Sequence, residues 1–107
     1  MMTELADFIQ REKDFSVNAF GNQSNLGIIK HIRKEIIEIQ DSPEDVFEWV
    51  DIILLAIDGA LRAGYSSVEV AIALEEKLSI NEAREWGPIV EDEPIEHIRD
   101  GGGNDGR

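Results

Sequence analysis

The 107-residue chain has no cysteine, which excludes both a disulfide framework and a cysteine-based zinc site. Basic residues are scarce, ten Lys and Arg against 23 Asp and Glu, for a net charge of −13. That balance excludes the basic footprint a nucleic-acid backbone or an anionic membrane requires, so neither is expected as a partner. A small anionic substrate remains admissible, because cations can bridge it to carboxylates. Long hydrophobic runs are missing too. The longest, Ile52 to Ile57, has six residues, against the roughly 20 that span a bilayer. The start, Met1-Met2-Thr3-Glu4-Leu5-Ala6-Asp7, lacks the basic and apolar regions of a leader. A soluble, cytoplasmic protein is the expectation. The length suits one small domain, and a domain this small commonly gains core by oligomerising.

Helical periodicity fills the chain. Thr3 is expected to cap a first helix running to about Asp14, with Leu5, Phe8 and Ile9 on one face. The polar stretch Asn18 to Asn25, which contains Gly21, reads as a loop. A second helix is expected from Leu26 to Gln40, with Ile28, Ile29, Ile32, Ile36 and Ile39 as its apolar stripe. Ser42 is expected to cap a third helix, with Pro43 at its first position and a stop at Gly64 after Arg62. Ser66-Ser67-Val68-Glu69 reads as a capping box opening a fourth helix to about Trp86. The predicted architecture is all-α, a four-helix antiparallel bundle over residues 1–98. A flexible acidic, glycine-rich tail is expected over 99–107.

The third helix is apolar almost all round, interrupted only by Glu48, Asp51 and Asp58. Such a helix needs cover on every side. A homo-oligomer interface is one completion, and enclosure within one subunit is the other. Asp58, two turns beyond Asp51 and roughly 10 Å along the axis, is too far to share a cation with it. It reads as a supporting or intersubunit residue, or as the wet end of the helix.

Glu35 and Glu38 are three apart, as are Glu48 and Asp51, so each pair occupies one helix face. Two antiparallel helices presenting such pairs can surround hard divalent cations, which take carboxylate and phosphate oxygens. Acidic pairs are also common on solvated faces, and Glu35 and Glu38 alone read as surface charge. Glu48 and Asp51 are harder to dismiss, because unpaired carboxylates on an apolar helix are costly to bury. Lys77, Asn81 and Arg84 share one face of the fourth helix. They suit phosphate oxygens, or equally surface ion pairs with Glu76 and Glu85.

Lys34-Glu35-Ile36-Ile37-Glu38, then Glu48-Trp49-Val50-Asp51, then Lys77-x-x-x-Asn81-x-x-Arg84 resemble the MazG-like all-α pyrophosphohydrolase superfamily. Its pattern is E-E-x-x-E, a spacer, E-x-x-D, and a downstream K-x-x-x-N-x-x-R. The first glutamate is replaced here by Lys34, whose role is not carried over. Phe20-Gly21, His31-x-x-Lys34-Glu35, Arg62-x-Gly64, Arg84-x-Trp86 and Glu96-His97-x-Arg99 are similar to the dATP/dGTP pyrophosphohydrolase branch, near which the phage MazZ enzymes lie.

The resemblance implies a dimer or a dimer of dimers, and two or more Mg²⁺ or Mn²⁺ ions per site held by Glu35, Glu38, Glu48 and Asp51. It implies cleavage of a purine (d)NTP, dGTP or dATP, to the monophosphate and pyrophosphate in a bacterial or phage-infected cytoplasm. Glu35 or Glu38 would handle the attacking water, and Lys77, Asn81 and Arg84 would bind phosphates. Phe20, Asn22 and His31 are candidates for the base, although core packing or a satisfied surface histidine accounts equally well for Phe20 and His31. Trp86 reads as a lid or a helix-end anchor. Two competing readings are a pyrimidine enzyme acting on dUTP or dCTP, and a non-enzymatic acidic interaction protein.

Overall fold

The computed structural model describes residues 2–99; of the expected tail, all but Arg99 lies outside them. Among the described residues there are four helices and no strand: α1 Met2–Phe20, α2 Asn25–Asp41, α3 Val46–Arg62 and α4 Ser67–Ala83. The expected all-α class is what is found. None of these helices is long and apolar enough to cross a membrane. The chain divides into two compact units, Met1–Ile72 and Ala73–Arg107, with the boundary inside α4.

In the first unit α2 and α3 run antiparallel. Glu38 near the end of α2 stands beside Glu48 at the start of α3. At the other end, a Cβ added to Gly59 would lie 3.4 Å from Ile28 Cγ2, so this glycine lets the helices approach closely. The core gathers Ala6 and Ile9 of α1, Ile57 and Leu61 of α3, and Val70 and Ala71 of α4. Burial of that apolar surface, at about 25 cal/mol per Å² removed from water, is what holds the unit together.

The stripe expected on α2 is only half right. Ile28 and Ile39 are buried and Ile32 is half-buried, while Ile29 and Ile36 are exposed. The inward line is 28, 32, 35, 39, a heptad-like spacing that suits a helix facing one main partner. Its third position is Glu35. Among the described residues α3 is not covered on every side: Phe47 is 74% exposed and Trp49 50%, and Val46 and Ile53 are exposed as well.

Three boundaries differ from expectation. Thr3 lies inside α1, not at a cap, and α1 continues past Asp14 to Phe20, where Gly21 takes the left-handed conformation (φ +65°) that ends helices. The extension is held by Ser16, whose buried hydroxyl donates to Asp58 at 2.8 Å. Ser42 caps the end of α2 rather than the start of α3. The residue before a proline is biased away from helical backbone, and Ser42 has φ −141°. Asp45 takes over as N-cap, accepting from the Phe47 amide at 2.9 Å, while the Trp49 indole donates to the Pro43 carbonyl at 2.8 Å.

α4 ends at Ala83, not Trp86, because Trp86 Nε1 donates to the Asn81 carbonyl at 2.9 Å. The segment beyond pairs with the returning chain through Gly87 N to Glu96 O and Ile98 N to Glu85 O, both 2.7 Å.

Other expectations hold. Gly64 (φ +110°) follows α3. Ser66 and Glu69 form the reciprocal capping box, the Glu69 amide donating to Ser66 Oγ at 3.1 Å and the Ser66 amide to Glu69 Oε1 at 2.9 Å. Those bonds also hold the Glu69 carboxyl below its ordinary value. Ser66→Ala is expected to cost about 1 kcal/mol of stability, read as a lower thermal midpoint with the helical content at low temperature unchanged.

Candidate active site

The antiparallel α2–α3 pair brings Glu35, Glu38 and Glu48 together, each offering a carboxylate oxygen within 4.8 Å of the others. The positions follow from local structure. Glu35 sits on the inward line of α2, and Glu38 is one turn further on. Glu48 is in the first turn of α3, three residues after the Asp45 cap. Glu35 is buried and Glu38 is more open. Oε2 of Glu35 and Oε2 of Glu48 are buried with no hydrogen-bond partner among the described residues. Unsatisfied buried carboxylate oxygens are costly.

Electrostatics records that cost. The Glu35 carboxyl is raised above its ordinary value first by burial, then by side-chain hydrogen bonding with Glu38 and by the charges of Glu38, Asp51 and Glu48. Glu48 is raised first by burial, then by the charges of Glu38, Asp45 and Asp51, and by side-chain hydrogen bonding with Glu38. Among the described residues, the causes acting on these two carboxyls all raise them. His31 lies beside the cluster, its Nε2 3.4 Å from Glu35 Oε1 with its ring half exposed.

Asp51 is exposed and stands outside the triple, although its charge reaches both Glu35 and Glu48. The ranking by helix physics is therefore reversed for one member of each pair: the buried carboxylate is on α2, and Asp51 is open. An all-oxygen donor set with two orphaned buried atoms fits a hard divalent cation, and Asp51 is near enough to join it electrostatically.

Lys77 and Asn81 are on α4, but Arg84 is one residue past its end, where its Nη1 donates to Asn81 Oδ1 at 3.4 Å. The single face expected for all three therefore does not extend to Arg84. In the same unit Trp86 and His97 form an isolated antiparallel bridge, with their rings edge to face at 5.8 Å. Trp86 is thus a helix-end anchor.

Phe20 ends α1 and meets Phe15 edge to face at 5.7 Å, and both rings are more than half exposed, so Phe20 is not core. Asn22 is in the exposed connection that follows. Asp58 is neither wet nor metal-facing: it is buried, accepting from Ser16 Oγ and Arg62 Nε at 2.8 Å each. Sequence reading overlooked Ser16 and gave Arg62 only as a helix end and as part of the Arg62-x-Gly64 resemblance; the local signal for its pairing was an acid and a base four apart on α3.

Four helices with paired glutamates converging between two antiparallel members define the class of the MazG-like pyrophosphohydrolases. The protein is similar to the solved MazG-like pyrophosphohydrolase of Cyanophage S-2L, determined with dGDP and three catalytic Mn²⁺ ions per active site. The TM-score is 0.66 and the identity 27%, covering 94% of this chain and 96% of that one. Within that class the chain belongs to the dATP/dGTP pyrophosphohydrolase family, whose sequence model matches residues 8–105.

A dATP/dGTP diphosphohydrolase of Salmonella phage PMBT28 is 35% identical over 79 residues, 73% of this chain and 26% of its own length. The Eaa protein of Salmonella phage P22 is 38% identical over 58 residues, 54% of this chain and 18% of its own. The chain thus spans about a quarter or less of the length of these curated relatives.

Proposed function

We propose that the chain hydrolyses a purine deoxynucleoside triphosphate, dGTP or dATP, to the monophosphate and pyrophosphate at the Glu35–Glu38–Glu48 centre. The observation that carries this reading is the pair of orphaned carboxylate oxygens in the cluster, together with the family to which the chain belongs. Glu35, Glu38 and Glu48, with Asp51 at the open edge, would hold two or more Mg²⁺ or Mn²⁺ ions. A divalent cation bound there supplies neutralisation of the triphosphate and acidifies a water.

The rest falls to side chains. Glu38 or Glu35 orients the attacking water and accepts its proton as the oxygen approaches the α-phosphorus in line with the departing pyrophosphate. Lys77, Asn81 and Arg84 take phosphate oxygens, the cations stabilising charge that grows on the leaving group. Phe20 and Asn22 meet the base, the ring by stacking and the amide by hydrogen bonding. His31 lies between that role and support of Glu35. The exposed apolar side of α3 is covered by a second copy in a dimer or a dimer of dimers. The working compartment is the cytoplasm of a bacterium or a phage-infected host.

The test is a nucleotide panel with product identification in Mn²⁺ or Mg²⁺. dGTP or dATP should yield monophosphate and pyrophosphate, and Glu38→Gln should lower the rate on the order of 10²-fold or more. Orthophosphate and a diphosphate would place the cut at the wrong bond. Turnover confined to dUTP or dCTP would move the substrate to pyrimidines, and no turnover at all would leave an acidic interaction protein.

A further inference from the structure

Arg62 has acceptors for all five of its N–H groups. Nε donates to Asp58 Oδ1 at 2.8 Å. Nη1 donates to the backbone carbonyls of Gly21 and Gln23, each at 2.8 Å. Nη2 donates to Ser16 Oγ at 2.7 Å and to the Ser16 carbonyl at 3.4 Å. Ser16 Oγ in turn donates to Asp58 Oδ2 at 2.8 Å, and both Ser16 and Asp58 are buried. One guanidinium therefore ties the end of α3 to the last turn of α1 and to both carbonyls flanking Asn22.

A surface ion pair contributes little, but this one is different in kind. Its planar fork is saturated, and two of its bonds hold the backbone of an exposed connection. That connection begins at Phe20, next to Phe15, and turns through the left-handed Gly21. An exposed aromatic pair and a polar amide on a connection locked from beneath form a surface suited to a flat heterocycle.

We propose that Arg62 is the positioning residue for base selection, holding Gly21 and Gln23 so that Phe20 and Asn22 present one fixed geometry to the purine. Phe15 backs Phe20 as the second ring of the platform. Arg62 itself touches no substrate; it acts through the two carbonyls. The inference rests on the function proposed above. It goes further in making selectivity depend on a residue remote from the base.

The experiment compares dGTP, dATP and dCTP hydrolysis by the full chain in Mn²⁺ for wild type, Arg62→Lys, Ser16→Ala, Phe20→Ala and Asn22→Ala. Lysine keeps the charge but not the fork. Arg62→Lys should reduce the preference for the better purine substrate over dCTP in kcat/KM by roughly tenfold, through KM, with kcat and the Mn²⁺-induced rise in thermal midpoint retained. Amide exchange over residues 21–26 should speed up as well. Ser16→Ala, the milder change, should shift the preference the same way by less, and it decides the matter should Arg62→Lys not fold.

A purely structural role predicts a lower thermal midpoint with the preference unchanged, and that result overturns the proposal. Loss of preference in Phe20→Ala or Asn22→Ala but not in the Arg62 and Ser16 variants overturns it while the base assignment stands. No effect from any of the four overturns both. Wild type inert on every nucleotide overturns the proposed function and this inference with it.

Discussion

Glu35→Gln is expected to abolish pyrophosphate release while leaving the metal-free protein at least as stable as wild type. Glutamine fills the same space on the inward line of α2, so no cavity opens next to Ile32 and Ile39. It removes the charge that Glu38, Asp51 and Glu48 press upon, and the crowding already visible in the raised Glu35 carboxyl disappears. The same change deletes a hard oxygen anion from the cation site and a candidate proton acceptor. A loss on the order of 10²–10⁴-fold in kcat/KM follows if Glu35 handles the water, and loss of cation binding adds to it. Calorimetry in chelator and a pyrophosphate assay in Mn²⁺ read the two effects separately. A midpoint well below wild type in chelator would mean that Glu35 is structural. Retained turnover would remove it from the site.

Stability and metal dependence should move in opposite directions with pH. Glu35 and Glu48 both bind a proton more tightly in the fold than in the unfolded chain, so their pKa values are raised from 4.5. The contribution of such a group is complete below the ordinary carboxyl range and is lost as pH rises through the raised value. Glu12, raised by burial and then by the charge of Asp58, acts in the same sense. Glu69, lowered by its cap, acts in the opposite one, losing its contribution as pH falls.

Without metal, the thermal midpoint should therefore be higher just above pH 5 than at pH 7. Cations compete with those protons. Mn²⁺ at a hundred times its Kd adds about 2.7 kcal/mol, a rise on the order of 10 °C for a domain this size. That gain should be full at pH 7 and shrink toward pH 5. A metal-independent profile, or a metal gain equal at both pH values, would show that the raised carboxyls are not the binding groups.

The contrast between Glu35 and Asp51 shows what a single sequence reveals. Capping chemistry is local, so Ser66 with Glu69 and the stop at Gly64 were legible, and so was the acidic pairing across α2 and α3. Burial is a property of the packed pair. Choosing among five isoleucines on α2 required knowing that α3 lies on the 28–32–35–39 line. Once that line is known, Glu35 is the anomaly on an apolar seam, and Asp51 is merely charge on the open side of a helix whose apolar residues are themselves exposed.

Boundaries failed where two signals competed. Ser42 was read as a cap because Pro43 follows it, yet the proline constraint displaced the start to Asp45. α1 ran through a polar stretch because Ser16 pairs with Asp58, 42 residues away, which no local rule reports. Arg84 left its helix because the Trp86 indole claims the Asn81 carbonyl, and that contact is irregular backbone rather than periodicity. The acidic residues that converge, Glu35, Glu38 and Glu48, were thus readable as a pattern, while their exposure and partners were not.

The central claim is that three converging glutamates form a divalent-cation centre. Equilibrium Mn²⁺ binding to the full chain at pH 7, followed by electron paramagnetic resonance of free Mn²⁺, tests it most directly. Wild type should show saturable binding at the cluster. A Glu35→Gln, Glu48→Gln double variant with unchanged helical circular dichroism should lose it. Identical binding curves for the two proteins would contradict the account, because the cation would then be held without the carboxylates whose orphaned oxygens define the site.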